Sequence, residues 1–319
     1  MPDLFSIFNL KENKELYDLG KAVSAGMIGV VIFLVADAAA QLILAGVIRL
    51  MAAQNGTEPD MELVMTLASC MQYFVALPAA FIYFRLFPAV KKPYDDGLLE
   101  PVGFVVFFCM CMLLMYAGNF VGNTVMYFAD PQAENEVSEY LLESGPLSTF
   151  IFTVIAAPIA EEFIFRKMLI DHLLSAGEGT AVIISAVIFG AAHGNLFQFF
   201  YAFLIGLIFA YIYIRTGNIF NTVILHVLIN LVGGLLPLLI YTIDNDVIAE
   251  TTYEAYAFIV LSFCVGGLVC LIRYGAHFRL RGRELKEMWS GEWLRGVLLN
   301  PGMLIFLVWT VFSELILYS

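Results

Sequence analysis

Two adjacent glutamates, Glu161 and Glu162, stand inside an otherwise apolar run, PIAEEFIFRKMLIDHLL, and Arg166 follows Glu162 by four residues. A carboxylate in the middle of a hydrophobic helix is costly, so it marks a position where something happens. Two later apolar stretches carry matching polar residues. FGAAH ends in His193, and HVLIN holds His226 and Asn230 four apart, on one helix face. A carboxylate in a poorly solvated pocket is a stronger base than in water, which suits a general base near neutral pH. A histidine beside it can orient an attacking water. A second histidine and an asparagine amide can donate hydrogen bonds to a developing oxyanion. Such a set hydrolyses a peptide bond without a serine or cysteine nucleophile. The same Glu161, His193 and His226 also form a ligand set for a divalent metal such as zinc, with water as the fourth ligand, and the residues leave both chemistries open. Glu162 and Arg166 are spaced to pair within the helix, while Glu161 points roughly 100° away around the axis, toward a cavity. The candidate catalytic residues are therefore Glu161, Glu162, Arg166, His193, His226 and Asn230, and no cofactor-binding residues are expected beyond that metal set.

These residues need apolar helices to hold them, and the composition supplies them. The chain has 319 residues, 61% hydrophobic and only 14% charged, with a mean hydropathy of +0.85. That balance belongs to polytopic membrane proteins. Apolar runs cover about 22–53, 61–87, 102–128, 147 onward through the Glu pair, 180–193, 196–214, 219–240, 253–272 and 297–317. The expected fold is all-α, a transmembrane helix bundle of about eight or nine spans. The fifth run is short and forms a tight hairpin with the sixth across Gly194 and Asn195. The chain divides into an amphipathic segment, 1–21, N-terminal transmembrane helices, 22–146, a catalytic core, 147–240, and C-terminal helices with a basic amphipathic linker, 241–319. The start lacks the pattern of a cleavable signal peptide. The five cysteines all fall in apolar runs without metal spacing, so they read as buried thiols rather than disulfides.

Charge orients the bundle. Lys11, Lys14 and Lys21 precede the first run, and Arg85, Lys91 and Lys92 follow the second. Arg166, Lys167, Arg215 and the series Arg273, Arg279, Arg281, Arg283, Lys286 and Arg295 fall at the same alternate ends. The intervening loops, QNGTEPDME, DPQAENEVSEYLLESG and YTIDNDVIAETTYE, are acidic, and Arg49 alone breaks the pattern. By the positive-inside rule the N-terminus is cytoplasmic and the acidic loops lie outside. RGRELKEMWSGEWLRG reads as an amphipathic helix on the inner leaflet. Counting about 1.5 Å per residue from the cytoplasmic turns puts Glu161, His193, His226 and Asn230 at one depth, about 16 to 22 Å up. Other intramembrane polar pairs, Asp37 with Gln41 and Asn119 with Asn123, read as interhelical packing. His172 and His277 lie near the cytoplasmic surface, outside the set.

EEFIFR, FGAAH and HVLIN resemble the EExxxR, FxxxH and HxxxN motifs of the CAAX prenyl protease and bacteriocin-processing (CPBP, or Abi) family of intramembrane proteases. The turn RTGNIF before the last motif is also similar to that family, and the likeness covers roughly residues 147–236. The resemblance implies that Glu161 activates water with His193, that His226 and Asn230 form the oxyanion hole, and that Glu162 and Arg166 support the site. The family carries the label of metalloproteases, and a metal-free glutamate mechanism has been argued for it as well. The expectation is an intramembrane endopeptidase with a cavity opening to the cytoplasm. Its substrates would be membrane-associated peptides or proteins, either prenylated and of CAAX type or bacteriocin-like precursors. Its surroundings are the lipid bilayer of a cell membrane, and nucleic acid is not a partner. The competing readings are a non-catalytic immunity or scaffold protein, which would have a dry, packed motif region, and a proton-coupled transporter, which would have a water path to both faces.

Overall fold

In hydrocarbon a backbone amide finds its partner only within its own segment or a closed barrel, so long apolar runs become helices. The computed structural model describes residues 14–89, 97–133, 135–280 and 291–317, and every regular element among them is helical, with no strand. The helices are α1 (Lys14–Asn55), α2 (Leu63–Leu86), α3 (Pro101–Ala129), α4 (Leu141–Ala176) and α5 (Glu178–Ala191). They continue as α6 (Leu196–Thr216), α7 (Ile219–Tyr241), α8 (Asp246–Tyr274), α9 (Gly291–Leu298) and α10 (Pro301–Leu317). Among the described residues seven helices are long and apolar enough to cross a membrane, and α5 and α10 supply shorter apolar stretches.

Three boundaries differ from the sequence reading. The fourth run begins before residue 147, because Gly145 takes a positive φ of 71° and joins the start of α4 to the rest through a kink. The last run is broken at Asn300, whose side-chain oxygen accepts from the Met303 amide and caps α10, with Pro301 at its first position. The N-terminal amphipathic segment lies outside the described residues up to residue 13, and 14–21 form the first turns of α1. The basic linker likewise lies outside them through residue 290, and its remainder forms α9.

Glycines let the helices touch backbone to backbone. A Cβ at Gly118 or Gly122 of α3 would strike the backbone of α6 at Tyr201 or Phe197. One at Gly267 of α8 would strike Cys109 of α3, and one at Gly302 of α10 would strike Ser24 of α1. The expected hairpin of α5 and α6 forms, with Gly190 against Phe199. Gly194 has no packing role: its φ is +71° and open space lies beside it, so it serves the turn. Phe74, Val102, Phe120, Phe128 and Ile272 point outward. Such faces would be a liability in water and are the required surface in lipid. All five cysteines are free thiols, but of these only Cys111 is fully buried, where burial of all five was expected.

Hydrogen bonds sort the helix ends into two groups. His172 at the end of α4 reaches the Phe87 carbonyl after α2 at 3.0 Å, and Arg215 at the end of α6 meets Glu178 at the start of α5 at 3.4 Å. Arg215 also donates to the Arg279 carbonyl beyond α8, and Asn221 at the start of α7 bonds the chain just before α3. This is the basic end. The turn between α5 and α6, the end of α3 and the end of α7 form the opposite, acid-rich end.

Candidate active site

Glu161 and Glu162 part company as their spacing requires. Glu162 is fully buried, with Oε2 3.0 Å from Arg166 Nε and Oε1 3.1 Å from His226 Nδ1. Arg166 is also fully buried, and its guanidinium lies over the ring of Phe189 at 4.3 Å. The ion pair is close but off-line: Arg166 makes no hydrogen bond among the described residues. Charge and the aromatic face compensate it. Glu161 faces the other way, into a cavity of about 490 Å³. Its Oε2 makes no hydrogen bond among the described residues and sits 3.8 Å from His226 Nε2.

His193 follows the last turn of α5, where its Nδ1 lies 2.7 Å from the Phe189 carbonyl and donates to it. That leaves Nε2 as the free ring nitrogen. No ion-pair contact joins Glu161 to His193, but both line the cavity, together with His226 and Asn230. The depth agreement read from the sequence therefore brings all four residues to one space. His226 and Asn230 differ from the expectation in one respect: each is already held. His226 Nδ1 donates to Glu162, so it can donate from Nε2 only when doubly protonated. Asn230 Nδ2 donates one hydrogen to the Thr153 carbonyl at 2.9 Å, and its second amide hydrogen remains.

The carbonyls that hold these side chains come from widened, i→i+5 helical turns. Such turns occur at Thr149–Ala156 and Glu162–Ile170 of α4 and at Leu231–Leu235 of α7. Thr153 accepts from Asn230, Phe152 from Tyr73, Phe165 from Ser185, and Val232 from Tyr256. A widened turn loosens the normal i→i+4 ladder and exposes carbonyls to neighbours, which is why such turns collect at functional sites. Their signal in the sequence is weak: nothing in TFIFTVIA or LVGGL distinguishes them from ordinary apolar helix.

Several lining residues escaped the motif reading. Tyr116 Oη lies 2.6 Å from Tyr256 Oη, and Asn119, read as packing, lines the cavity while Asn123 does not. Asn195 donates to Gln198, and Gln198 donates to the hydroxyl of Tyr201 beside His193. The polar run GNLFQFFY right after FGAAH was the available signal. Gln41 donates to Asp37 along α1, and neither is among the residues that line the cavity. His172 is buried among backbone carbonyls at the basic end, outside the site as expected.

Among the described residues no group of three or more His, Cys, Asp or Glu is placed to hold an ion, although His193 and His226 each give Nδ1–H to an acceptor and keep Nε2 as the lone-pair nitrogen. The direction of the cavity is a second departure. Its lining continues to Asn135 and Leu141 and to Asn195 and Gln198, all at the acid-rich end. A cytoplasmic basic end and a cavity opening to the cytoplasm, both expected from the sequence, exclude each other.

A helical membrane bundle that gathers EExxxR, FxxxH and HxxxN around one cavity agrees with the resemblance read from those motifs. The family model described as Type II CAAX prenyl endopeptidase Rce1-like matches residues 143–232, the segment that holds all three motifs, and bears out the resemblance read from them. The chain is similar to YdiL of Bacillus subtilis (strain 168), provisionally named a membrane peptidase, with 24% identity over 180 residues, 54% of this chain and 72% of that protein. It is also similar to the membrane-embedded CAAX protease MroQ of Staphylococcus aureus (strain USA300), with 29% identity over 112 residues, 32% of this chain and 45% of that protein. No solved structure matches the chain significantly.

Proposed function

We propose that this chain is an intramembrane endopeptidase that cleaves a peptide bond of a membrane-associated polypeptide with water activated by Glu161. The observation that carries the reading is the Glu161 carboxylate, unbonded at Oε2 and facing a cavity it shares with His193, His226 and Asn230. Glu161 takes a proton from water as the oxygen attacks the peptide carbonyl carbon. His193 Nε2 accepts a hydrogen bond from the water's other O–H and orients it. The carbonyl oxygen becomes an oxyanion, which the second amide hydrogen of Asn230 and Nε2–H of doubly protonated His226 stabilise. The carbon–nitrogen bond then breaks, and Glu161 returns its proton to the departing amine. Glu162 orients His226 through Nδ1, and Arg166 balances the charge of Glu162. No step passes through a metal. The open cavity favours this reading over a non-catalytic partner, for which a packed motif region was expected. The names of the relatives speak of CAAX proteins, and the motif resemblance adds peptide precursors as the second substrate class.

The test is cleavage by the purified, detergent-solubilised protein of a mixed library of prenylated and plain peptides, read by mass spectrometry. Glu161→Gln runs beside the wild type, with and without chelator. The expected result is cleavage that the substitution abolishes and the chelator leaves unchanged. Activity lost to chelator and restored by zinc would overturn the metal-free mechanism, and cleavage that survives in Glu161→Gln would overturn the role of Glu161.

A further inference from the structure

We infer that the cavity is entered from the acid-rich, non-cytoplasmic end of the bundle, so that the substrates are translocated polypeptides rather than cytosolic tails. Such substrates are exported peptide precursors or outward-facing segments of membrane proteins. The inference rests on the protease reading for the word substrate, but the direction of access stands on geometry and the charge pattern.

On α3, α4, α6 and α7 the lining residues stop at one level, short of the basic end. On α4, Leu141, Thr153, Ala157 and Glu161 line it, whereas Glu162, Ile164, Arg166 and Ile170, nearer the basic end, are fully buried. On α6 the lining residues end at Ile205, and Phe209, Ala210 and Tyr213 beyond it are fully buried. On α7, which runs the opposite way, the order reverses: Thr222 and Leu225 are buried first, and Asn230, Gly233 and Gly234 line the cavity later. On α3, Met110 and Met112 are buried and Met115, Tyr116 and Asn119 line it. The floor is therefore a packed core at the basic end. It is tied below by Tyr213 Oη donating to Asp171 at 2.8 Å and Lys167 donating to both. A polypeptide cannot pass such a layer without unpacking it. The roof, by contrast, is made of loop and turn residues, Asn135 and Asn195 among them.

Charge says which end is which. Arg85, Lys91, Lys92, Arg215, Arg273, Arg279, Arg281, Arg283 and Lys286 belong in sequence to the floor end, against Arg49 alone at the roof. Basic residues near helix ends are retained on the cytoplasmic side. The floor is then cytoplasmic and the roof faces outward.

Single cysteines read by a membrane-impermeant maleimide test this without any assay of activity, with the wild type as the blank for the native thiols. Asp244→Cys reports the loop between α7 and α8, Ala276→Cys the basic end, and Leu141→Cys and Asn119→Cys the cavity. In intact bacterial cells we expect Asp244→Cys, Leu141→Cys and Asn119→Cys to react, and Ala276→Cys to react only in inverted vesicles. The inference fails if the two cavity positions react only in inverted vesicles. It fails equally if they stay silent from both sides while Asp244→Cys reacts outside, or if Asp244→Cys reacts only from the inside. Because labelling needs no substrate, a chain that cleaves nothing can still pass, and a working protease can still fail.

Discussion

Glu162 and Arg166 illustrate how a buried ion pair differs from a surface one. Both are fully removed from solvent, so neither charge has water to fall back on. Removing one partner from such a pair costs on the order of 3–5 kcal/mol, because the other charge stays buried and unpaired. We therefore expect Glu162→Gln to unfold at a clearly lower temperature in detergent, while Glu161→Gln, facing the cavity, unfolds close to the wild type. Both lose cleavage, and thermal unfolding separates the supporting carboxylate from the reacting one. Asn230→Ala should act differently again. It removes an oxyanion donor that matters only in the transition state, so kcat should fall by about 10²–10³-fold with KM little changed. A large rise in KM at constant kcat would assign Asn230 to substrate binding instead.

The site exists because helices approach more closely than side chains would allow. Gly118 lets α3 lie against the backbone of α6 at Tyr201, which brings Tyr116 and Asn119 to the same wall as Tyr201 and His193. We expect Gly118→Val to drive α3 from α6 and to lower both stability and activity. Gly103, on the same helix, has nothing within 4 Å of an added Cβ. Gly103→Ala should leave activity intact and hold or raise stability by up to about 1 kcal/mol, the helix-propensity gain over glycine. Melting curves of the two variants side by side would show whether the glycines of α3 act by contact or by flexibility. The widened turns of α4 and α7 belong to this scale as well, since they release the carbonyls that fix Asn230 and Tyr256.

Across the whole molecule the site and the periphery are separable. α10 packs on α1 through Gly302 and Ser24, on elements that do not line the cavity. Gly302→Val should lower the unfolding temperature and leave kcat/KM unchanged, which peptide cleavage and thermal melts would check together. Hydropathy and charge, read along the chain, determined that this is a helical membrane bundle with a basic and an acidic end, because both depend on composition within single segments. The spacing EExxxR, FxxxH and HxxxN determined which polar residues meet, since helical rise fixes depth one helix at a time. Only the tertiary structure decided that His226 turns one nitrogen to Glu162 and the other toward Glu161, and that Asn230 holds the Thr153 carbonyl. It also decided that the cavity closes toward the basic end. Those outcomes depend on the rotation and close approach of neighbouring helices, which are set by packing between residues far apart in the chain and leave no local pattern to read.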